Sequence, residues 1–189
     1  MGSKSVRINC GGNVPMSNAL RVGVLGAGWA GSSHAAAFGR LPDVEVAALW
    51  NRTRSRAERM AMRLNLSEAR IYDDWRELIE KAQIDVLSIA TPETFRLEPV
   101  TMAINNGCHV LVEKPFSVQL EDARKMMELA SGANTVTASC FSWRYSPGSQ
   151  VARRQVEAGC IGRVVDISME WRRRITPRVA LEERRHTSV

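Results

Sequence analysis

Short apolar runs alternate along the chain with longer segments of helical spacing. Strand-like runs fall at about 20–25, 44–50, 69–72, 84–90, 108–112 and 135–139. The run at 84–90 is almost wholly apolar, as a strand buried on both faces must be. Helical segments lie between them. The first spans about 29–40. In the second, about 55–64, Ala57, Met60, Ala61 and Leu64 recur at i, i+3, i+4 and i+7. Asp74 and Glu77 resemble a capping box opening a helix to about Lys81. A helix after Thr91-Pro92 ends at Asn106, with Gly107 as its C′ residue. Ser117 is placed to cap a helix over about 120–131 that closes at Gly132. This alternation predicts an α/β fold, a doubly wound parallel sheet with helices on both faces. Further on, Ser146-Pro147 and Gly159 bracket another helix, with Pro at its first position. Arg163 to Trp171 then alternates cleanly, with Val165, Ile167, Met169 and Trp171 on one face. That pattern predicts a half-buried strand whose apolar face needs a partner sheet.

The first strand runs directly into Gly26-Ala27-Gly28-Trp29-Ala30-Gly31, a G-x-G-x-x-G turn that opens a helix. This order suits a dinucleotide-binding turn. Gly26 allows the tight exit from the strand, Gly28 admits a pyrophosphate to the backbone, and Gly31 lets the helix pack closely. The N–H groups that begin at Trp29 and Ala30 then face the phosphates with the positive end of the helix dipole. The second strand ends at Asn51-Arg52, where an NAD site usually carries a carboxylate for the ribose 2′-hydroxyl. Asn51 does not repel a 2′-phosphate, and the Arg52 guanidinium can pair with one. Arg54 and Arg56 add positive charge nearby. The expected preference is NADP over NAD, although the same arginines equally suit the solvated start of a helix.

Composition changes this picture little. Apolar residues make up 44% and charged residues 24% of 189, ordinary for a globular chain. The net charge of +6 is concentrated at the ends. Residues 1–21 carry +3 and residues 172–189 carry +4, so the 150 residues between carry −1. A near-neutral body argues against a nucleic-acid-binding face on the domain, and weak binding through the basic tail is the least favoured reading. Cys10, Cys108, Cys140 and Cys160 form no C-x-x-C pair, and His34, His109 and His186 have no ligand spacing. Neither a metal site nor a disulfide framework is expected, and reduced cytoplasmic thiols are the default. No apolar run approaches the roughly 20 residues of a membrane span. Residues 1–18 read as a disordered leader, with Met16 as the expected natural start, and 172–189 as a basic disordered tail.

Ligands of open α/β sheets lie at the carboxyl ends of the strands. Three marked positions fall there: the glycine turn, Thr91-Pro92, and Glu113-Lys114-Pro115. A lysine at such an edge can hydrogen-bond a substrate hydroxyl or carbonyl and assist proton transfer. A solvated loop charge is an equal reading of its position alone.

Taken together, the glycine motif with His34, then Thr91-Pro92, then Gly107-x-His109-Val110-Leu111-Val112-Glu113-Lys114-Pro115, resembles the Gfo/Idh/MocA oxidoreductase family. Phe141-x-x-Arg144-Tyr145-x-Pro147 and Gly159-x-Ile161-Gly162 extend the resemblance to about residue 171. The resemblance implies a Rossmann domain over 19–140 that binds NAD or NADP. It implies reversible hydride transfer with a sugar, polyol or similar small carbohydrate-like substrate. It makes Lys114 the catalytic lysine, with Pro115 fixing its loop. The cofactor-binding set is then Gly26, Gly28, Trp29, Ala30, Gly31, Asn51, Arg52, Thr91, Pro92, Glu113, Lys114 and Pro115. The family usually has a histidine four residues after Thr-Pro, where this chain has Arg96. It also carries a second α+β domain that supplies an Asp and a His and the usual oligomer surface. Here only its first helix and strand, 141–171, are expected, as the start of a truncated substrate domain. A nucleotide-binding remnant or regulatory module without catalysis is the alternative.

Overall fold

The computed structural model describes residues 19–170 and 172. They fall into two compact units, one ending at Ser139 and the other beginning at Cys140. The predicted leader, Met16, Cys10, Trp171, His186 and the tail beyond Arg172 lie outside the described residues.

Six strands, all within the first unit but for the last residue of the sixth, form its sheet: β1 (Leu20–Leu25), β2 (Val44–Trp50), β3 (Arg70–Tyr72), β4 (Val86–Ile89), β5 (His109–Glu113) and β6 (Thr137–Cys140). Their order across the sheet is β3-β2-β1-β4-β5-β6. β1 pairs in parallel with β2 and β4, β2 with β3, and β4 with β5. β6 joins the edge of β5, with Val110 N–H donating to the Val136 carbonyl at 2.8 Å. The helices are α1 (Trp29–Phe38), α2 (Arg54–Arg63), α3 (Trp75–Lys81), α4 (Leu97–Asn105) and α5 (Leu120–Gly132).

Strand alternation sorts the core into two layers. Val22 and Val24 of β1 and Val46 and Leu49 of β2 pack with Ala35 of α1 and with Ala57 and Met60 of α2. On the other face, Leu25, Leu87, Ile89, Val110 and Val112 meet α3, α4 and Met126 of α5. Each fully buried Leu, Ile or Val stabilises the fold by about 1.5–3 kcal/mol. Helices therefore cover both faces, as the sequence pattern predicts. The strand order reverses between β1 and β4, which opens a crevice at their carboxyl ends.

Local signals set several ends. Gly107 follows α4 at φ +76°, the left-handed conformation expected of a C′ residue. The Asp74 carboxylate caps α3 by accepting from Arg76 N–H at 2.9 Å. The reciprocal half of the capping box does not form, because Glu77 pairs with Lys81 at 2.6 Å. Ser117 is not the cap of α5. That position is Gln119, whose N–H donates to Ser117 Oγ at 3.0 Å. Gly132 is the last residue of α5 rather than the one beyond it.

In the second unit, α6 (Pro147–Glu157) begins as predicted, capped by Ser146, and ends before Gly159 at φ +71°. The predicted strand at 163–171 is corrected by the structure. Residues 163–170 form neither helix nor strand, and Val165, Ile167 and Met169 are exposed at 83%, 81% and 86%. Alternation supplies a face but not a neighbour, and a strand without a hydrogen-bonded partner has nothing to hold it extended.

Candidate functional site

The glycine turn sits at the crevice between β1 and β4. Gly26 has φ +103°, and its N–H donates to the Trp50 carbonyl at 2.8 Å. A side chain at Gly26 would strike the Ala90 carbonyl at 2.6 Å. A Cβ at Gly31 would lie 1.9 Å from the Gly26 carbonyl oxygen, so the third glycine lets the helix sit against the turn itself. Gly28 differs from both. A Cβ there meets nothing within 4 Å, so among the described residues no packed neighbour fills the space beside it.

Gly28 caps α1 without a side-chain bond. The first turn closes with Ser32 N–H donating to the Gly28 carbonyl at 3.0 Å. The N–H groups of Trp29, Ala30 and Gly31 therefore have no acceptor within the helix. Free space beside Gly28 and unpaired donors at a helix N-terminus form a cradle that fits a pyrophosphate. The indole of Trp29 is 84% exposed beside it.

At the end of β2, Asn51 is held by both ends of its amide. Its Oδ1 accepts from Ala27 N–H at 2.9 Å, and its Nδ2 donates to the Thr53 carbonyl at 3.0 Å. Asn51 thus ties the β2 end to the glycine turn. Arg52 and Arg56 are exposed. Arg54 is engaged by Asp73 at 2.7 Å and Glu58 at 2.9 Å, which raise its pKa and leave it a neutralised cation rather than an open one.

At the ends of β4 and β5, Thr91 is buried and its hydroxyl donates to the Phe95 carbonyl at 3.0 Å, while Pro92 is exposed. Its role here is to fold the short 3₁₀ turn Glu93–Phe95. Lys114 follows β5 with its side chain exposed, and the Lys114–Pro115 bond is cis. Glu113 is largely enclosed. One carboxylate oxygen accepts from Lys114 N–H at 2.9 Å, and the other lies 3.1 Å from His34 Nε2.

Two neighbours of these residues lie outside the expected cofactor-binding set. His34 of α1 is buried, with Nδ1 at 2.8 Å from the fully buried Ser88 Oγ of β4. It therefore links α1 to Glu113, 79 positions away. The motif placed His34 on the helix, but local pattern carries no sign of the partner. Arg96 is the second. It is only 4% exposed, although an arginine in a turn ordinarily reads as solvated. Burial pushes its pKa down, opposed by Glu93 and Glu113.

A parallel sheet with a glycine turn at its switch point defines a nucleotide-binding α/β domain. The oxidoreductase family with an NAD-binding Rossmann fold, Gfo/Idh/MocA, matches residues 20–140, and the chain belongs to that family. It is 33% identical over 149 residues to D-glucoside 3-dehydrogenase of Escherichia coli, covering 78% of this chain and 42% of that protein. It superposes on a myo-inositol 2-dehydrogenase from Lactobacillus plantarum with a TM-score of 0.72 at 26% identity, covering 78% of this chain and 43% of that one. It also superposes on a myo-inositol dehydrogenase from Lactobacillus casei, solved with NAD(H) and myo-inositol, with a TM-score of 0.71 at 25% identity, covering 76% and 43%. The chain spans about two fifths of the length of the curated relatives it matches.

Proposed function

We propose that this chain supplies the dinucleotide-binding half of an NAD(P)-dependent dehydrogenase acting on a sugar, polyol or similar substrate. The observation that carries the reading is the cradle at Gly28, with free space and three unpaired N–H groups on the same sheet edge as Lys114. The sugar and inositol dehydrogenases among its relatives support the substrate class.

The nicotinamide cofactor supplies the hydride acceptor or donor. The chain's residues do the rest. Donors at Trp29, Ala30 and Gly31 would hold the pyrophosphate, and Asn51 keeps the turn in register with β2. In the direction of alcohol oxidation, the carbinol C–H bond breaks as its electron pair leaves with the hydrogen. The hydroxyl proton must leave as the carbonyl forms. Lys114 can hydrogen-bond that oxygen, and its exposed side chain opens on water, which takes the proton. Glu113, fixed by His34, sets the direction from which Lys114 leaves the strand.

We further propose a preference for NADPH over NADH through Arg52, which has no carboxylate partner among the described residues. Fluorescence titration of the full chain with both cofactors tests it. Arg52→Ala should lower NADPH affinity by about tenfold and leave NADH affinity nearly unchanged. Equal affinities in the unmodified chain would remove the preference, with the dinucleotide reading intact.

A further inference from the structure

The Arg96 side chain is a buried cation bonded entirely to backbone carbonyls. Its Nε and Nη2 donate to the Thr91 carbonyl at 3.1 and 2.8 Å. Its Nη1 donates to the carbonyls of Glu113 and Pro115. Among the described residues no carboxylate makes an ion pair with it. A guanidinium is suited to this because its donors form a rigid planar fork, which an ammonium lacks. The two carbonyls held by Nη1 flank Lys114, one on each side. The third belongs to Thr91, two residues beyond the end of the neighbouring strand β4.

We infer that Arg96 is a positioning residue that clamps the ends of β4 and β5 together and fixes the peptide carrying Lys114. From inside the sheet edge it pins Glu113 and Pro115 by their carbonyls. From the α1 side His34 pins the Glu113 carboxylate. Lys114 is left with a defined backbone and a free side chain. The inference rests on the reading of this edge as the nicotinamide half of the site. The adenosine half, at the glycine turn and Asn51, does not touch Arg96.

This division gives a test that a general packing role would not satisfy. ADP-ribose contains the adenosine, pyrophosphate and second ribose but no nicotinamide. In the full chain, Arg96→Met should lower NADH affinity about tenfold and leave ADP-ribose affinity within about twofold. Hydrogen exchange should speed up at residues 113–118 and not in β1 or β2. Arg96→Lys keeps the charge without the fork. It should show the same split to a smaller degree and serves if the Met variant does not fold. Wild-type exchange at 113–118 in the variants, or equal losses for NADH and ADP-ribose, would overturn the clamp. If the unmodified chain binds neither compound, the functional reading fails on its own. Exchange at 113–118 then decides the clamp: protection lost in Arg96→Lys upholds it, and protection kept overturns it.

Discussion

Gly31→Ala and Gly28→Ala change the same atom count three residues apart and should have opposite consequences. At Gly31 the new Cβ would stand 1.9 Å from the Gly26 carbonyl oxygen and 2.8 Å from its carbon. An ordinary carbon–oxygen approach is about 3.3 Å. The start of α1 would therefore have to withdraw by more than about 1 Å from a turn that β1, β2 and Ala90 hold in place. Overpacking costs about 1–3 kcal/mol, and the top of that range applies where both partners are backbone. For a unit of this size, about 3 kcal/mol lowers Tm by about 10 °C. At Gly28 a Cβ meets nothing within 4 Å, and φ of −78° suits any residue. That variant should lose less than about 1 kcal/mol. It should nonetheless bind NADH more weakly, since its methyl group enters the cradle. Thermal melts followed by circular dichroism, with NADH titrations on the same samples, separate the two effects. A Gly31→Ala chain that melts within about 2 °C of the original would show that α1 does not rest against the turn. A Gly28→Ala chain destabilised as much as Gly31→Ala would show that the space beside Gly28 is not open.

Four further outcomes are expected. His34→Leu strips Ser88 and Glu113 of a buried partner and should cost about 2 kcal/mol in denaturant unfolding; a loss no larger than for an exposed residue would show that the His34 bonds contribute nothing net. Burial raises the Cys108 thiol above its ordinary range, and the folded chain holds that proton more tightly than the unfolded one. The stability linked to it is therefore full below the ordinary thiol pKa and declines as pH rises through the raised one; Cys108→Ala should lessen the alkaline fall in Tm. In thiol labelling followed by peptide mass spectrometry, exposed Cys160 should react at once and Cys108 only on unfolding. Finally, replacing Val165, Ile167 and Met169 together by Ser should reduce binding of a hydrophobic dye, because all three are exposed.

What could be read from sequence was local. The bounds of β2 at Val44 and Trp50, the caps at Asp74 and Ser146 and the left-handed Gly107 and Gly159 follow from residues within a few positions of each other. The glycine turn was equally legible, because its glycines, the strand before them and the helix after them are contiguous in the chain. What escaped was non-local or depended on a partner. His34 meets Glu113 across 79 positions, and Arg96 reaches carbonyls 17 and 19 positions away. Nothing near Arg96 in sequence signals that its charge is buried. Arg54 reads as free positive charge until Asp73, 19 positions on, comes alongside. The alternation of 163–171 is a true strand pattern, but pairing is a property of two strands, and one segment cannot report it.

In the proposed function a dinucleotide lies across the carboxyl edge from the glycine turn to Lys114. The most direct measurement is NADH titration into the ¹⁵N-labelled full chain, followed by amide shifts. Saturable shifts at Gly26 to Gly31, Asn51, Thr91 and Lys114, sparing Thr101 and Leu129, which line an open pocket between α4 and α5, are the predicted result. No saturable shifts, or shifts confined to that pocket, would contradict it.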